Sequence, residues 1–131
     1  MTSTEQKVAL VTGASRGIGR AIALQLAADG FAVVVNYAGN TALAEEVVAD
    51  IEAKGGRALA VQADIADGDA VVRLFEQTLA TFGRLDVVVN NAGMMQMAKM
   101  TSDNVAILDR TLAINLRGSW LVMAKAAETL G

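Results

Sequence analysis

The chain has 131 residues and a net charge of −3, and it is 53% hydrophobic but only 4% aromatic. That is the length of one domain, with a core that must be built from Ala, Val, Leu and Ile, and the acidic balance argues against a nucleic-acid partner. Cys and His are absent, which excludes disulfides, thiolate nucleophiles and imidazole acid–base chemistry, and leaves hydroxyls, Lys, Asn, carboxylates or a bound cofactor to do any chemistry.

The polar start, Met1 to Lys7, has neither the basic segment nor the apolar run of a secretory signal. No stretch approaches the roughly 18 apolar residues of a membrane span, so the expected location is the cytoplasm, without membrane attachment. Short Val-rich runs then alternate with longer stretches of helical period, the pattern of βαβ units around a parallel sheet. The strands are predicted at Val8–Thr12, Ala32–Tyr37, Ala58–Gln62 and Val87–Asn90. Their continuous apolar character suits strands covered on both faces.

The first strand runs into Thr12-Gly13-Ala14-Ser15-Arg16-Gly17-Ile18-Gly19, which opens a helix. Glycines here give a sharp turn at Gly13, close approach of a pyrophosphate at Gly17 and close helix–strand packing at Gly19. The free N–H groups and positive dipole end of the helix then favour an anion. A plain βα turn remains the alternative. The helix carries an apolar stripe of Ile18, Ile22 and Leu26, closed by Asp29-Gly30.

The second strand ends Val35-Asn36-Tyr37-Ala38. It lacks the carboxylate that chelates the ribose hydroxyls in NAD-binding units and that would repel a 2′-phosphate. Arg16, with Arg20 as a second candidate, is available to attract such a phosphate, and Ser15, Asn36, Ala38 and Asn40 to hydrogen-bond it. The expected cofactor is therefore NADP(H) in preference to NAD(H). A solvated Arg16 is the alternative.

The next helix places Leu43, Val47 and Ile51 on one face, closed by Gly55-Gly56. The third places Val72, Phe75, Leu79 and Phe82, closed by Gly83. Before it stand Asp64, Asp67 and Asp69; a helix cap suits Asp67 best, and no metal site is expected because further ligands are missing. Met94, Met95, Met97 and Met100 suit either an adaptable pocket wall or core filler. From about Asp103, Val105, Leu108, Leu112 and Leu116 line one face of a long helix, while Ile107, Ile114, Leu121 and Val122 add apolar surface elsewhere. A helix apolar on two sides needs two partners, the sheet and a second subunit, unless the extra residues are surface filler.

Together, the glycine loop, Asp64 after the third strand, Asn90-Asn91-Ala92-Gly93 after the fourth and Ala113-Ile114-Asn115-Leu116-Arg117-Gly118 resemble the classical short-chain dehydrogenase/reductases along essentially the whole chain. The loop Thr12–Gly19 is similar to that of the acyl-carrier-protein reductase and sugar dehydrogenase branches. The resemblance implies an α/β fold: a Rossmann-type doubly wound parallel sheet, partial here, with strand order 3-2-1-4. It implies cofactor contacts at Gly13, Ser15, Arg16, Gly17, Ile18, Gly19, Asn36, Tyr37 and Ala38. Asp64 would bond the adenine amino group beside Ile65, and Asn90, Ala92 and Gly93 would run under the adenosine ribose. It also implies a catalytic Asn115, from the family's Asn-Ser-Tyr-Lys tetrad, on a helix whose irregularity exposes a carbonyl to a relay water.

The family's Ser, Tyr and Lys lie beyond this helix. The lone tyrosine is Tyr37, and no Tyr-x-x-x-Lys occurs. Residues 1–131 are thus expected to form a single NADP-binding Rossmann domain, inactive alone, because a hydride moves only with a matched proton donor or acceptor. Without a fifth strand, Val87–Asn90 would be an open edge. The parent is expected to interconvert a small-molecule carbonyl and alcohol, as a homodimer or homotetramer through the long helix 103–130. A non-catalytic nucleotide-binding module is the alternative. A methyltransferase is disfavoured by Asn36 at the second strand end, and a phosphotransferase by the missing G-x4-G-K-[ST] loop.

Overall fold

The computed structural model describes residues 6–92 and 105–130. Val8–Val11 (β1), Ala32–Tyr37 (β2), Ala58–Gln62 (β3) and Val87–Val89 (β4) form one sheet in the order β3-β2-β1-β4. Every neighbouring pair is parallel, with Leu10 opposite both Val34 and Val88. The crossovers are helices α1 (Gly17–Ala28), α2 (Thr41–Ala53) and α3 (Gly68–Phe82). The last segment comprises α4 (Val105–Leu112), a π-helical turn (Ala113–Gly118) and α5 (Ser119–Leu130). This is the expected doubly wound sheet.

Side chains alternate in direction along a strand, so each strand feeds two cores. Val8, Leu10 and Val34 join Val71, Leu74, Phe75 and Val122 on one face. Val11, Val33 and Val35 join Ala23, Ala44, Val47 and Ile51 on the other. Helices α1 and α2 thus cover one side of the sheet, and α3 and α5 the other. The base of the sheet is tied where Asp86 Oδ2 accepts the Val8 N–H at 2.8 Å and Arg84 bonds both Asp86 oxygens. Arg84 and burial act oppositely on Asp86: the arginine hydrogen bond lowers its pKa, desolvation raises it, and the net position lies below the usual carboxylate range.

Strands β1 and β4 each stop one residue short of expectation. Thr12 Oγ1 accepts the N–H groups of both Asn91 and Ala92 at 2.9 Å, so a side chain takes over where the backbone ladder would continue. Among the described residues β4 is an edge strand, paired only with β1. The stripe of α1 is rotated: Gly19 and Ala23 face the sheet and Ile18 is 74% exposed. The cause is Gly19, whose lack of a side chain lets α1 press against the Gly13 carbonyl. In α3 the buried face is Val71, Leu74, Phe75 and Thr78, while Val72 and Leu79 are exposed. Thr78 counts as polar by sequence but bonds the Leu74 carbonyl at 2.8 Å, so it can be buried and shift the stripe.

The long helix is not uniform. The π turn adds residues to one turn and changes the phase of the faces. Val122, with Leu121 and Ala126, packs on the core, whereas Leu112 and Leu116 point outward, Leu116 being 67% exposed. Trp120 and Met123 are exposed as well. Gly93, the four methionines from Met94 to Met100, Asp103 and the side chains of Ile107 and Leu108 lie outside the described residues. Among the described residues no helix is long and apolar enough to cross a membrane.

Candidate functional site

A cleft of about 480 Å³ opens at the C-terminal ends of the strands, lined by the glycine loop, the β2 end, Asp64, Ile65, Asn91, Ala92 and Ile114. This is where open α/β sheets bind ligands, between loops that diverge on either side of the first strand. The loop's shape is set by backbone geometry. Gly13 has φ +62°, and a Cβ there would sit 2.8 Å from the Ala92 Cα. Gly17 has φ +60° with nothing within 4 Å of where a Cβ would stand, which leaves room for a ligand against the chain.

Helix starts differ in how their N–H groups are satisfied. Asn40 caps α2 by accepting from Leu43 N, and Asp67 caps α3 by accepting from Asp69 N and Ala70 N. Arg16, at the cap position of α1, makes no such side-chain bond. The first intrahelical bond of α1 runs from Arg20 N to Arg16 O, so the amides of Gly17, Ile18 and Gly19 precede it. An anion would complete this end, and the exposed Arg16 side chain adds charge beside it. Arg20 instead pairs with Asp50 at 2.8 Å, joining α1 to α2.

Asn36 is buried, and its amide is fully engaged. Oδ1 accepts from Gly13 N at 3.3 Å, while Nδ2 donates to the carbonyls of Val61 and Ala63. Its carbonyl accepts from Ala14 N at 2.8 Å. Asn36 therefore shapes the cleft from beneath. Beside it, Thr41 donates to the Tyr37 hydroxyl, and Gln62 donates to the Ala38 carbonyl at 2.8 Å, fixing the loop after β2.

Across the cleft, Asp64 Oδ1 accepts from Ala66 N at 3.0 Å and Oδ2 from Arg110 Nη2 at 2.8 Å. Burial raises the Asp64 pKa, but the Arg110 hydrogen bond, the Ala66 N–H and the arginine charge outweigh it and leave the carboxyl below the usual range. Because Asp67 is the α3 cap, Asp64 is free of that role. Asn90 accepts from the Thr12 hydroxyl and donates to the Ser119 carbonyl at 3.1 Å, tying β4 to the first residue after the π turn. Asn115 sits within that turn on an exposed stretch.

The structure thus gathers Gly13, Ser15, Arg16, Asn36, Tyr37, Ala38, Asp64, Ile65 and Ala92 around one cleft. Gly17, Ile18 and Gly19 are not among the lining residues but follow Ser15 and Arg16 directly at the start of α1, and Asn90 precedes Asn91 and Ala92. The sequence alone assigns no role to Thr12 or Asn91; in the fold Asn91 Nδ2 bonds the Gly13 carbonyl at 3.3 Å and joins the two loops. Arg110 is not legible in the sequence, since an arginine in a helix carries no local signal of the Asp64 it bonds.

A family model described as short chain dehydrogenase matches residues 7–131. A 3-oxoacyl-acyl-carrier-protein reductase from Synechocystis sp. is 49% identical over 92% of this chain and 49% of its own length. A dehydrogenase/reductase structure from Sinorhizobium meliloti superposes with a TM-score of 0.90 at 41% identity, over 95% of this chain and 50% of that one. A short chain dehydrogenase from Burkholderia cenocepacia, solved in complex with NADP, gives 0.87 at 44% identity, over 99% of this chain and 53% of that one. The chain spans about half the length of the curated relatives it matches. With the glycine loop, the Asn90-Asn91-Ala92 segment and the parallel sheet in place, the chain belongs to the short-chain dehydrogenase family.

Proposed function

We propose that residues 1–131 form the NADP(H)-binding half of an oxidoreductase that interconverts a small-molecule carbonyl and alcohol, working in the cytoplasm. The observation that carries this reading is the start of α1: three amides ahead of the first helical bond, no side-chain cap, and Arg16 beside them on a cleft whose β2 end lacks a carboxylate. The complex of the Burkholderia relative with NADP supports the same choice. Gly17, Ile18 and Gly19 would hold the diphosphate, Arg16 and Ser15 the 2′-phosphate, Asp64 and Ile65 the adenine, and Ala92 and Gly93 the ribose. Tyr37 and Ala38 would wall the 2′-phosphate side, with Asn36 shaping it.

The bound nicotinamide would supply or accept the hydride. Asn115 would act from the π turn, where the widened backbone releases a carbonyl that can hold a relay water. No Tyr-x-x-x-Lys occurs in these residues, and the Tyr37 hydroxyl accepts from Thr41 at the cofactor end. The 131 residues alone should therefore bind the cofactor without turning over activated ketones, which also keeps a purely nucleotide-binding role as the second reading. The exposed Leu112, Leu116, Trp120 and Met123 support association of two copies through the long helix.

Calorimetry with NADPH and NADH tests the cofactor assignment. Arg16→Glu should weaken NADPH binding by about tenfold or more, as expected for loss of a charge-assisted bond, and leave NADH binding nearly unchanged. Equal losses for both would remove the 2′-phosphate assignment.

A further inference from the structure

Arg110 reaches 46 residues back along the sequence to bond Asp64 Oδ2 at 2.8 Å, while the Ala66 N–H holds Oδ1 at 3.0 Å. The carboxylate is thus gripped at both oxygens, from its own turn and from α4. Each oxygen keeps a second lone-pair site, and Asp64 still lines the cleft. The same helical segment also braces the next residue: a Cβ on Gly118 would lie 2.8 Å from Ile65 Cγ1, so the π turn rests against the Ile65 side chain. The exposed wall of the cleft is therefore shaped by a helix distant in sequence.

We infer that Arg110 is a positioning residue for base selection, orienting Asp64 so that its carboxylate accepts from an exocyclic purine amino group and rejects a purine carbonyl at that place. The inference rests on the reading of the cleft as a dinucleotide site. A fixed anionic acceptor favours a donor and repels another acceptor, and adenine differs from hypoxanthine in this respect at C6. The side chains of the Arg110–Asp64 pair are 46% and 37% exposed, and an ion pair that wet adds little to folding stability. Loss of Arg110 should then register in base discrimination and hardly at all in stability.

The test is calorimetry with NADPH and its hypoxanthine counterpart, alongside urea unfolding. The wild-type chain should prefer NADPH by about tenfold, the usual size of one hydrogen bond to a charged acceptor. Arg110→Met should reduce that preference to about twofold with an unchanged urea midpoint, Arg110→Lys should recover part of it, and Asp64→Asn should make the Met substitution silent. A preference that survives in Arg110→Met, or equal weakening of both dinucleotides, overturns the inference. Wild-type binding of both without discrimination overturns it alone, whereas wild-type binding of neither overturns the cleft assignment with it.

Discussion

Thr12→Val is the sharpest probe of how the site is held together. Val keeps nearly the same shape but removes the hydroxyl that accepts from Asn91 N and Ala92 N and donates to Asn90 Oδ1. Thr12 is fully buried, whereas Asn91 and Ala92 are only partly so. A buried donor left unpaired costs about 1–3 kcal/mol. With two donors stranded and some water reaching them, the expected loss is about 2–4 kcal/mol, a large share of the roughly 5–15 kcal/mol that holds a domain together. Urea unfolding should show a lower midpoint with an unchanged slope. NADPH affinity should fall too, because the 90–92 segment loses its latch. Thr12→Ser restores the hydroxyl and should lie within about 1 kcal/mol of wild type, the cost of one buried methyl group. A Val variant within about 0.5 kcal/mol of wild type would refute the role of the hydroxyl, since that is the scatter of ordinary surface substitutions.

Gly19→Ala should destabilise by about 1–3 kcal/mol and weaken NADPH binding, because the new methyl collides with the Gly13 carbonyl oxygen, a backbone atom that cannot swing aside; an unchanged urea midpoint would contradict this. Asp86, whose folded pKa is lowered chiefly by Arg84, contributes stability that is complete above the free-Asp value of about 3.9 and is lost as pH falls through the folded value. Asp86→Asn should therefore flatten the stability profile across that acidic window, and parallel profiles would remove the linkage. Trp120→Glu should convert an associated wild-type chain to a monomer in light scattering; a wild type already monomeric at micromolar concentration would end the proposal of pairing through this helix.

Strand positions were legible because a strand covered on both faces must be apolar throughout, and β2 and β3 lie where the runs Ala32–Tyr37 and Ala58–Gln62 place them. Helix faces were less legible. In α3, either Val72-Phe75-Leu79 or Val71-Leu74-Phe75 satisfies helical spacing, and the choice turned on a threonine able to bond its own backbone. In α1, a glycine outweighed an isoleucine: contact at Gly19 set the rotation and left Ile18 in water. The glycine loop and the Asn90-Asn91-Ala92 segment could be read as neighbours of one ligand. Their mutual contacts could not, because Thr12, Asn91 and Gly13 meet only when β1 and β4 pair.

The same hydrogen bonds narrow which loop atoms would be left to face a diphosphate under the proposed reading. Gly13 N is taken by Asn36 Oδ1 and Ala14 N by the Asn36 carbonyl, so the first half of the loop is committed to holding β2 against it. The donors that remain for an anion include those of the α1 start, Gly17 to Gly19, where the helix dipole adds to them. Under the proposed reading Asn36 would serve cofactor choice in two ways: its amide braces the loop, and it occupies the β2 end where NAD-binding units carry a carboxylate. An Asp there would set its negative charge against the 2′-phosphate and could not supply the Nδ2 donor to Val61 and Ala63. Loop geometry and charge at the β2 end are therefore joined at one buried side chain, and under the proposed reading a preference for the phosphorylated dinucleotide would draw on Asn36 as well as on Arg16.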